Sequence, residues 1–201
     1  MKMKVKESLL ISIVVILIYI YFFSNNVELM TVNINNKNMH VLKKPDKQQA
    51  AELLYNLTEV LFNLRNYLVL NINKYTDNEI IDSIKLLETN MTRDGTKITE
   101  VPGKSGSTSF NVNKGEQLSF CLRYKDTDKL HDLNTVVYVG VHEISHSACH
   151  EIGHTRLFNK IFHLYLKEAV NLNLYKYENY EKESIYYCGM HLYSQILNSK
   201  P

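Results

Sequence analysis

Near its start the chain has an uninterrupted apolar run, and segments whose apolar residues recur at helix or strand spacing follow later. Residues 8–23 read SLLISIVVILIYIYFF and contain no charged side chain. At about 1.5 Å per residue a helix of this length spans most of a ~30 Å hydrocarbon core, and Tyr19 and Tyr21 suit the interface. The run therefore predicts one N-terminal transmembrane helix. A cleaved signal peptide is the alternative, but FFSNNVELM lacks the small-x-small pattern of a cleavage site.

The flanking charges predict the orientation of this helix. Three lysines lie in a basic flank at 1–7. After the apolar run, Glu28 is the one charged residue in the sequence before Lys37. The positive-inside rule then favours a single-pass membrane protein whose domain lies on the non-cytosolic side. Residues 24–44 are polar, rich in Asn and without a clear period, which predicts a linker from the membrane to the domain.

Residues 45–195 are predicted to form one domain that begins with two amphipathic helices. Pro45 stands at a good first helical position, and apolar residues recur at helical spacing from there to about Asn73. A second helix is predicted from Asp77 to about Thr89 in the same way. Both helices are expected to build the core.

The pattern changes at 90–118, where Gly, Pro, Ser and Thr separate short segments. Residues 108–113 and 117–124 alternate as strands do and are joined by a short turn, which predicts a β-hairpin. The apolar stretch TVVYVGVHEISHSA then predicts a deeply buried helix that Asp132 or Asn134 can cap.

The last part of the chain is predicted to hold one more helix, from Thr155 to about Leu174, followed by a Tyr-rich tail. We interpret those tyrosines as packing residues, because a large aromatic side chain more often fills a core or an interface than supplies a phenol to a reaction.

Composition narrows the classes of function. With 201 residues, of which 45% are hydrophobic and 22% charged, the chain can bury one core but not a second full domain. A net charge of +2 with scattered lysines lacks the basic footprint of a nucleic-acid binder, so no nucleic acid is expected as partner. Cys121, Cys149 and Cys188 allow at most one disulfide, and three buried free thiols are the alternative.

The buried helix carries the candidate chemistry, an HExxH motif at 142–146. Residues four apart on a helix lie one turn up and about 40° round, so His142 and His146 can share one metal ion. Zinc accepts imidazole nitrogen and, in catalytic sites, three protein ligands and a water. Glu143 can reach that water and take its proton without occupying the metal.

A second HExxH follows at 150–154 and raises the question of which histidines would bind. It contains Gly153, which costs about 1 kcal/mol inside a helix and more often marks a helix end. We therefore predict the first copy as the ligand pair. The third ligand must come from beyond the helix, and His154 after Gly153 can fold back towards the metal. Glu168 in the following helix is the alternative, ahead of His163 and His150.

The run from 113 to 170 resembles the WLM and SprT-like zinc metallopeptidases, and most closely the WLM-like metallopeptidases of large DNA viruses. In that group the HExxH is followed by a Gly-His and a Phe, which match Gly153, His154 and Phe158. YCGM at 187–190 also resembles a segment near the end of those proteins, so the likeness covers about 100–192. Asn159 stands where such proteins usually have Trp, and Ser147 where they have a small apolar residue, so the family likeness does not fix the shape of the pocket or the substrate.

The resemblance implies an α+β fold, a zincin-like and mostly helical domain with a short sheet or hairpin before the HExxH helix. It also implies Zn²⁺ held by His142, His146 and His154, with Glu143 as general base acting on a protein or peptide substrate. The leading hypothesis is thus a membrane-anchored zinc metallopeptidase. The alternative is a non-enzymatic single-pass membrane protein that uses a zincin-like scaffold to bind a partner, but such a scaffold has no need of Glu143.

Overall fold

The computed structural model describes residues 12–16, 29–102, 108–193 and 196–198. Beyond a short helical segment at 12–16, the described helices are α1 (Lys47–Leu70), α2 (Asn78–Asn90), α3 (Leu133–Ser147) and α4 (Arg156–Asn171), with 3-10 turns at Ile72–Lys74 and Ile196–Asn198. The strands are β1 (Leu29–Ile34), β2 (Lys37–Leu42), β3 (Lys97–Glu100), β4 (Phe110–Val112), β5 (Gln117–Phe120), β6 (Ile185–Tyr187) and β7 (Met190–Leu192). The domain is of the α+β class, as predicted.

Five of these strands form one mixed sheet in the order β1-β2-β3-β5-β4. The three central strands run parallel, and β1 and β4 pair antiparallel at the two edges. The predicted hairpin is β4 and β5, with Asn111 opposite Leu118. Among the described strands β4 pairs with β5 alone, so it forms the edge at that side of the sheet.

The first two strands occupy most of the segment that was predicted as a linker at 24–44. Asn35 and Asn36, with φ of +49° and +62°, turn β1 into β2. Positive φ at both central residues of a two-residue loop matches the twist of the flanking strands, and Asn tolerates it better than most residues. Met30 and Val32 face inward and are partly buried. The linker prediction is wrong for 29–42, because the alternation typical of a strand is hard to recognise among so many Asn residues.

The described part of the chain contains no helix that is both long and apolar enough to cross a bilayer. This finding contradicts the transmembrane helix predicted at 8–23 and the single-pass membrane localisation that rested on it, and both predictions are wrong. Residues 12–16 of that run are helical. The remainder of 8–23 lies outside the described residues.

Helix α3 lies at the centre of the domain. Asp132 caps it by accepting a hydrogen bond from Thr135 N at 2.9 Å, and most of its residues are buried. Gly140 lets α1 approach closely, because a Cβ there would lie 2.9 Å from Leu57 Cδ1 and 3.0 Å from Leu61 Cδ2. The helix is thus held in a fixed position by its neighbours on several sides.

Helix α1 begins at Lys47 and not at Pro45. The residue before it, Asp46, belongs to a buried ion-pair network. Asp46 accepts a hydrogen bond from Arg123 and does not cap the helix. Arg123 is 5% exposed and also donates from Nε to Glu100 Oε1 at 2.8 Å. Glu100 Oε2 in turn accepts from Leu42 N at 2.7 Å. One arginine therefore joins the ends of β2 and β3 to the start of α1.

The C-terminal hairpin of β6 and β7 is tied to the main sheet by a disulfide between Cys121 and Cys188. Cys121 directly follows β5, and Cys188 lies in the turn between β6 and β7. Cys149 is the free, buried thiol. Of the two alternatives for the three cysteines, the structure has the single disulfide.

Candidate metal centre

Helix α3 presents His142 and His146 one turn apart on the same face, with their ring centroids 4.9 Å apart. The helix ends at Ser147, and Gly153 at φ +83° turns the chain back. No atom lies within 4 Å of a Cβ built on Gly153, so glycine is required here by the backbone conformation alone. His154, directly after this turn, lies beside the two helical histidines.

The three imidazoles are placed as ligands of one ion. Their candidate ligand atoms all lie within 4.8 Å of one another, and His154 Nε2 lies 3.0 Å from His142 Nε2. In a tetrahedral zinc site with bonds of about 2.0 to 2.1 Å, two ligating nitrogens lie about 3.3 Å apart. A donor set of three imidazole nitrogens suits zinc, so the residues fit this ion.

The histidines of α3 are kept neutral by their surroundings. Burial, reinforced by the neighbouring histidines, lowers the pKa of His142 to about 3. Burial also lowers the pKa of His146 to about 4. The neutral imidazole is the form that binds a metal. Phe158 of α4 stacks on the His146 ring at 4.1 Å, and Phe162 meets the His142 ring edge-on at 5.2 Å. These contacts restrict the ring orientations.

Glu143 follows the first histidine and is 7% exposed, at the floor of the same cleft. Burial raises the pKa of its carboxyl to about 7. A general base works best when its pKa lies near the working pH, because it must both take up and give back a proton. The burial of Glu143 therefore suits a proton-transfer role at neutral pH.

A cleft of about 710 Å³ lies in front of these residues. The edge strand β4, the segment around Gly153 and the β6–β7 hairpin form its walls together with α3. Its rim is apolar in part, since Ile152 is 90% exposed and Met190 is 46% exposed. The size of the cleft and its mixture of apolar and polar walls are typical of a ligand site.

The other candidate ligands from the sequence lie elsewhere. Glu168 accepts a hydrogen bond from Asn171 at 3.3 Å on α4. His150 has an exposed side chain beside Glu151. Among the residues that the structure describes, the cluster suited to a metal consists of His142, His146 and His154. The structure thus brings together the three predicted ligands and leaves the alternatives outside.

Two residues outside the histidine segment also belong to the site, and only Asn111 was missed from the sequence. Asn111 on β4 donates to Glu143 O at 2.8 Å and to Ser147 Oγ at 2.7 Å, which joins the edge strand to α3. Tyr187 lines the cleft, and its hydroxyl donates to Cys121 O at 2.9 Å and lies 2.6 Å from Ser109 Oγ. No local pattern marks Asn111, but the match of YCGM to the family did include Tyr187.

Comparison with solved structures finds a partial likeness to Wss1. The crystal structure of Wss1 from Saccharomyces cerevisiae has a TM-score of 0.43 and 16% sequence identity, covering 67% of this chain and 88% of that one. A Wss1 mutant from S. pombe has a TM-score of 0.42 and 22% identity, covering 64% of this chain and 92% of that one.

Sequence comparison finds viral relatives, while no family model matches. The uncharacterized protein R325 of Acanthamoeba polyphaga mimivirus is 37% identical over 172 residues, which covers 82% of this chain and 81% of that protein. The uncharacterized protein 136R of Invertebrate iridescent virus 6 is 36% identical over 80 residues, or 39% of this chain and 44% of that protein. The expected relation to viral proteins is confirmed, and the chain belongs to the family of the mimivirus protein R325.

Proposed function

We propose that this protein is a zinc-dependent peptidase that hydrolyses peptide bonds with Glu143 as general base. The observation that carries the proposal is the juxtaposition of three imidazoles, whose ligand atoms lie within 4.8 Å of one another, with a buried carboxyl on the same cleft. A site built only to stabilise the fold would need a full set of ligands but no adjacent carboxylate with a raised pKa.

In this proposal His142, His146 and His154 would hold the zinc beside the cleft. When bound, zinc supplies a Lewis acid that activates water and polarises a carbonyl. Glu143 takes the proton from the attacking water and delivers it to the nitrogen of the leaving amine. The raised pKa of Glu143 suits both halves of this transfer.

The substrate class follows from the walls of the cleft. Strand β4 pairs with β5 on one side, and its other side borders the cleft. An extended peptide can add to such an edge through main-chain hydrogen bonds, with its side chains meeting the cleft walls. We therefore propose a protein or peptide as substrate, bound in extended form beside β4.

The test uses the full-length chain, its zinc content by mass spectrometry and hydrolysis of a mixed fluorogenic peptide library. We expect about one zinc per chain, retained in Glu143→Gln while hydrolysis falls at least about 100-fold. His154→Ala, which keeps two of the three ligands, should bind zinc much more weakly and retain far less than one zinc per chain. The matched control is His150→Ala, which removes the exposed first histidine of the second HExxH and should change neither quantity.

Each other outcome has a defined meaning. If the folded parent binds no zinc, or if Glu143→Gln hydrolyses peptides as fast as the parent, the proposal is wrong. If the parent binds zinc in a His154-dependent way but cleaves none of the library, the centre holds a metal without this peptidase activity, and the non-enzymatic scaffold becomes the better explanation.

A further inference from the structure

The turn between β4 and β5 reaches across to the chain segment that carries His154. Lys114 in this turn donates from Nζ to Cys149 O at 2.8 Å and to Glu151 O at 2.6 Å. Its backbone has φ +60°, between Asn113 at +49° and Gly115 at +129°. The turn and the two hydrogen bonds hold the ammonium of Lys114 against the segment at 149–153, at the wall of the cleft.

Gly115 keeps this turn pressed against the end of α3. A Cβ at Gly115 would lie 2.5 Å from Asn90 O and 3.3 Å from Ser147 Oγ. Asn90 Nδ2 also donates to Ser147 O at 2.8 Å. The turn, the end of α2 and the end of α3 are therefore in close contact, so the position of Lys114 relative to α3 is well defined.

The segment at 149–153 connects the end of α3 to His154. It contains neither helix nor strand, yet it must return the third imidazole to the helical pair. Carbonyl groups outside helices and strands have no regular backbone partner and need another donor. An ammonium has three donors and can satisfy two such carbonyls at once. Lys114 does this for Cys149 and Glu151, three to five residues before His154.

We propose that Lys114 is a positioning residue of the metal centre, which fixes the 149–153 segment so that His154 reaches the ion held by His142 and His146. This inference rests on the proposed zinc site and adds the residue that organises it. Lys114 lines the cleft, and its ammonium is engaged by the carbonyls of Cys149 and Glu151, so we infer that it acts on the metal centre through His154. Partners that orient ligands in this way typically change metal affinity 10- to 100-fold when they are removed.

The test measures zinc affinity of the full-length protein by competition with a chromogenic chelator. We expect Lys114→Met to bind zinc at least about tenfold more weakly than the parent. Lys114→Arg, which keeps a cation with several donors, should recover most of that loss. Lys129→Met removes an exposed lysine and is the matched control, expected to bind zinc as the parent does. Thermal unfolding of the zinc-free variants checks that each is folded, and Lys114→Gln replaces Lys114→Met if the latter does not fold.

A double-mutant cycle separates positioning from a general structural effect. In the His154→Ala background, Lys114→Met should cause no further loss of zinc affinity, because the ligand through which Lys114 acts is already gone. The visible spectrum of the Co²⁺-substituted protein should change alike in Lys114→Met and His154→Ala, since both leave two histidine ligands firmly placed.

Two results would overturn the inference. One is a folded Lys114→Met protein with parental zinc affinity, and the other is an equal loss of affinity with and without His154. A separate result would remove the metal centre itself: His154→Ala binding zinc as tightly as the parent. Failure of the positioning role and failure of the proposed site are therefore distinguishable.

Discussion

Removal of the Cys121–Cys188 disulfide should strongly destabilise the fold. The two cysteines are 67 residues apart in sequence, and the chain-entropy relation gives a loss of about 2.1 + 1.5R ln 67, or about 15 cal/mol/K, which is about 4 kcal/mol at 25 °C. For a domain of 150 to 250 residues each kcal/mol shifts Tm by roughly 2–4 °C, so we expect a fall of about 8–16 °C.

The assay is thermal unfolding of the full-length protein with and without a phosphine reductant, beside the double variant Cys121→Ser/Cys188→Ser. Reduction should lower the Tm of the parent to that of the double variant and leave the double variant unchanged. Thiol alkylation followed by mass spectrometry verifies the state of each cysteine. A parent that is shown to be reduced and still melts within about 2 °C of its oxidised form would refute the reasoning.

Three further changes test the core and the site. Burial lowers the pKa of His131 from 6.5 to about 4. The unfolded state therefore takes up the proton at higher pH than the folded state, and the free energy of unfolding should fall by on the order of 3 kcal/mol between pH 6.5 and pH 4. Urea unfolding measured across this range should show a smaller loss of stability for His131→Gln than for the parent. Arg123→Met leaves Glu100 buried without its partner, at a cost of about 3–5 kcal/mol in the free energy of unfolding, and adding Glu100→Gln should recover part of it. Gly153→Ala forces a left-handed backbone on alanine, at a cost of about 1 kcal/mol. Zinc affinity measured by chelator competition should therefore fall roughly fivefold. The affinity of Gly153→Asn should be closer to that of the parent, because Asn tolerates this backbone conformation better.

The helices were predictable because their signals are local. Apolar residues at helical spacing identify α1 to α4. Asp132 caps α3, as predicted, and Thr155, the predicted start of α4, is its capping residue, one position before the first helical residue. β3 gave no such signal. It is a four-residue strand, Lys97–Glu100, whose parallel partners come from distant parts of the chain. Strand pairing of this kind depends on long-range contacts and leaves little trace in a short window of sequence.

The same distinction between local and distant contacts divides the residues of the candidate site. His142, Glu143 and His146 share one helix, so their relative geometry follows from the helical repeat. Other residues of the cleft come from elsewhere: Asn111, which bonds to α3, lies on the edge strand, and Tyr187, which lines the cleft, lies on the C-terminal hairpin. Only the folded sheet and the disulfide bring these residues to the cleft, so their contacts could not be derived from spacing.

The doubled HExxH is explained by where α3 ends. An HExxH pair needs an unbroken helical turn, and α3 stops at Ser147, before the second copy begins. In that copy His150 is exposed, while Gly153 reverses the chain and returns His154 to the first pair. The second motif is therefore not a second site: its last histidine completes the first cluster because the helix is broken there. A change that extended α3 through Gly153 would restore helical spacing to the second copy and remove the third imidazole from the first.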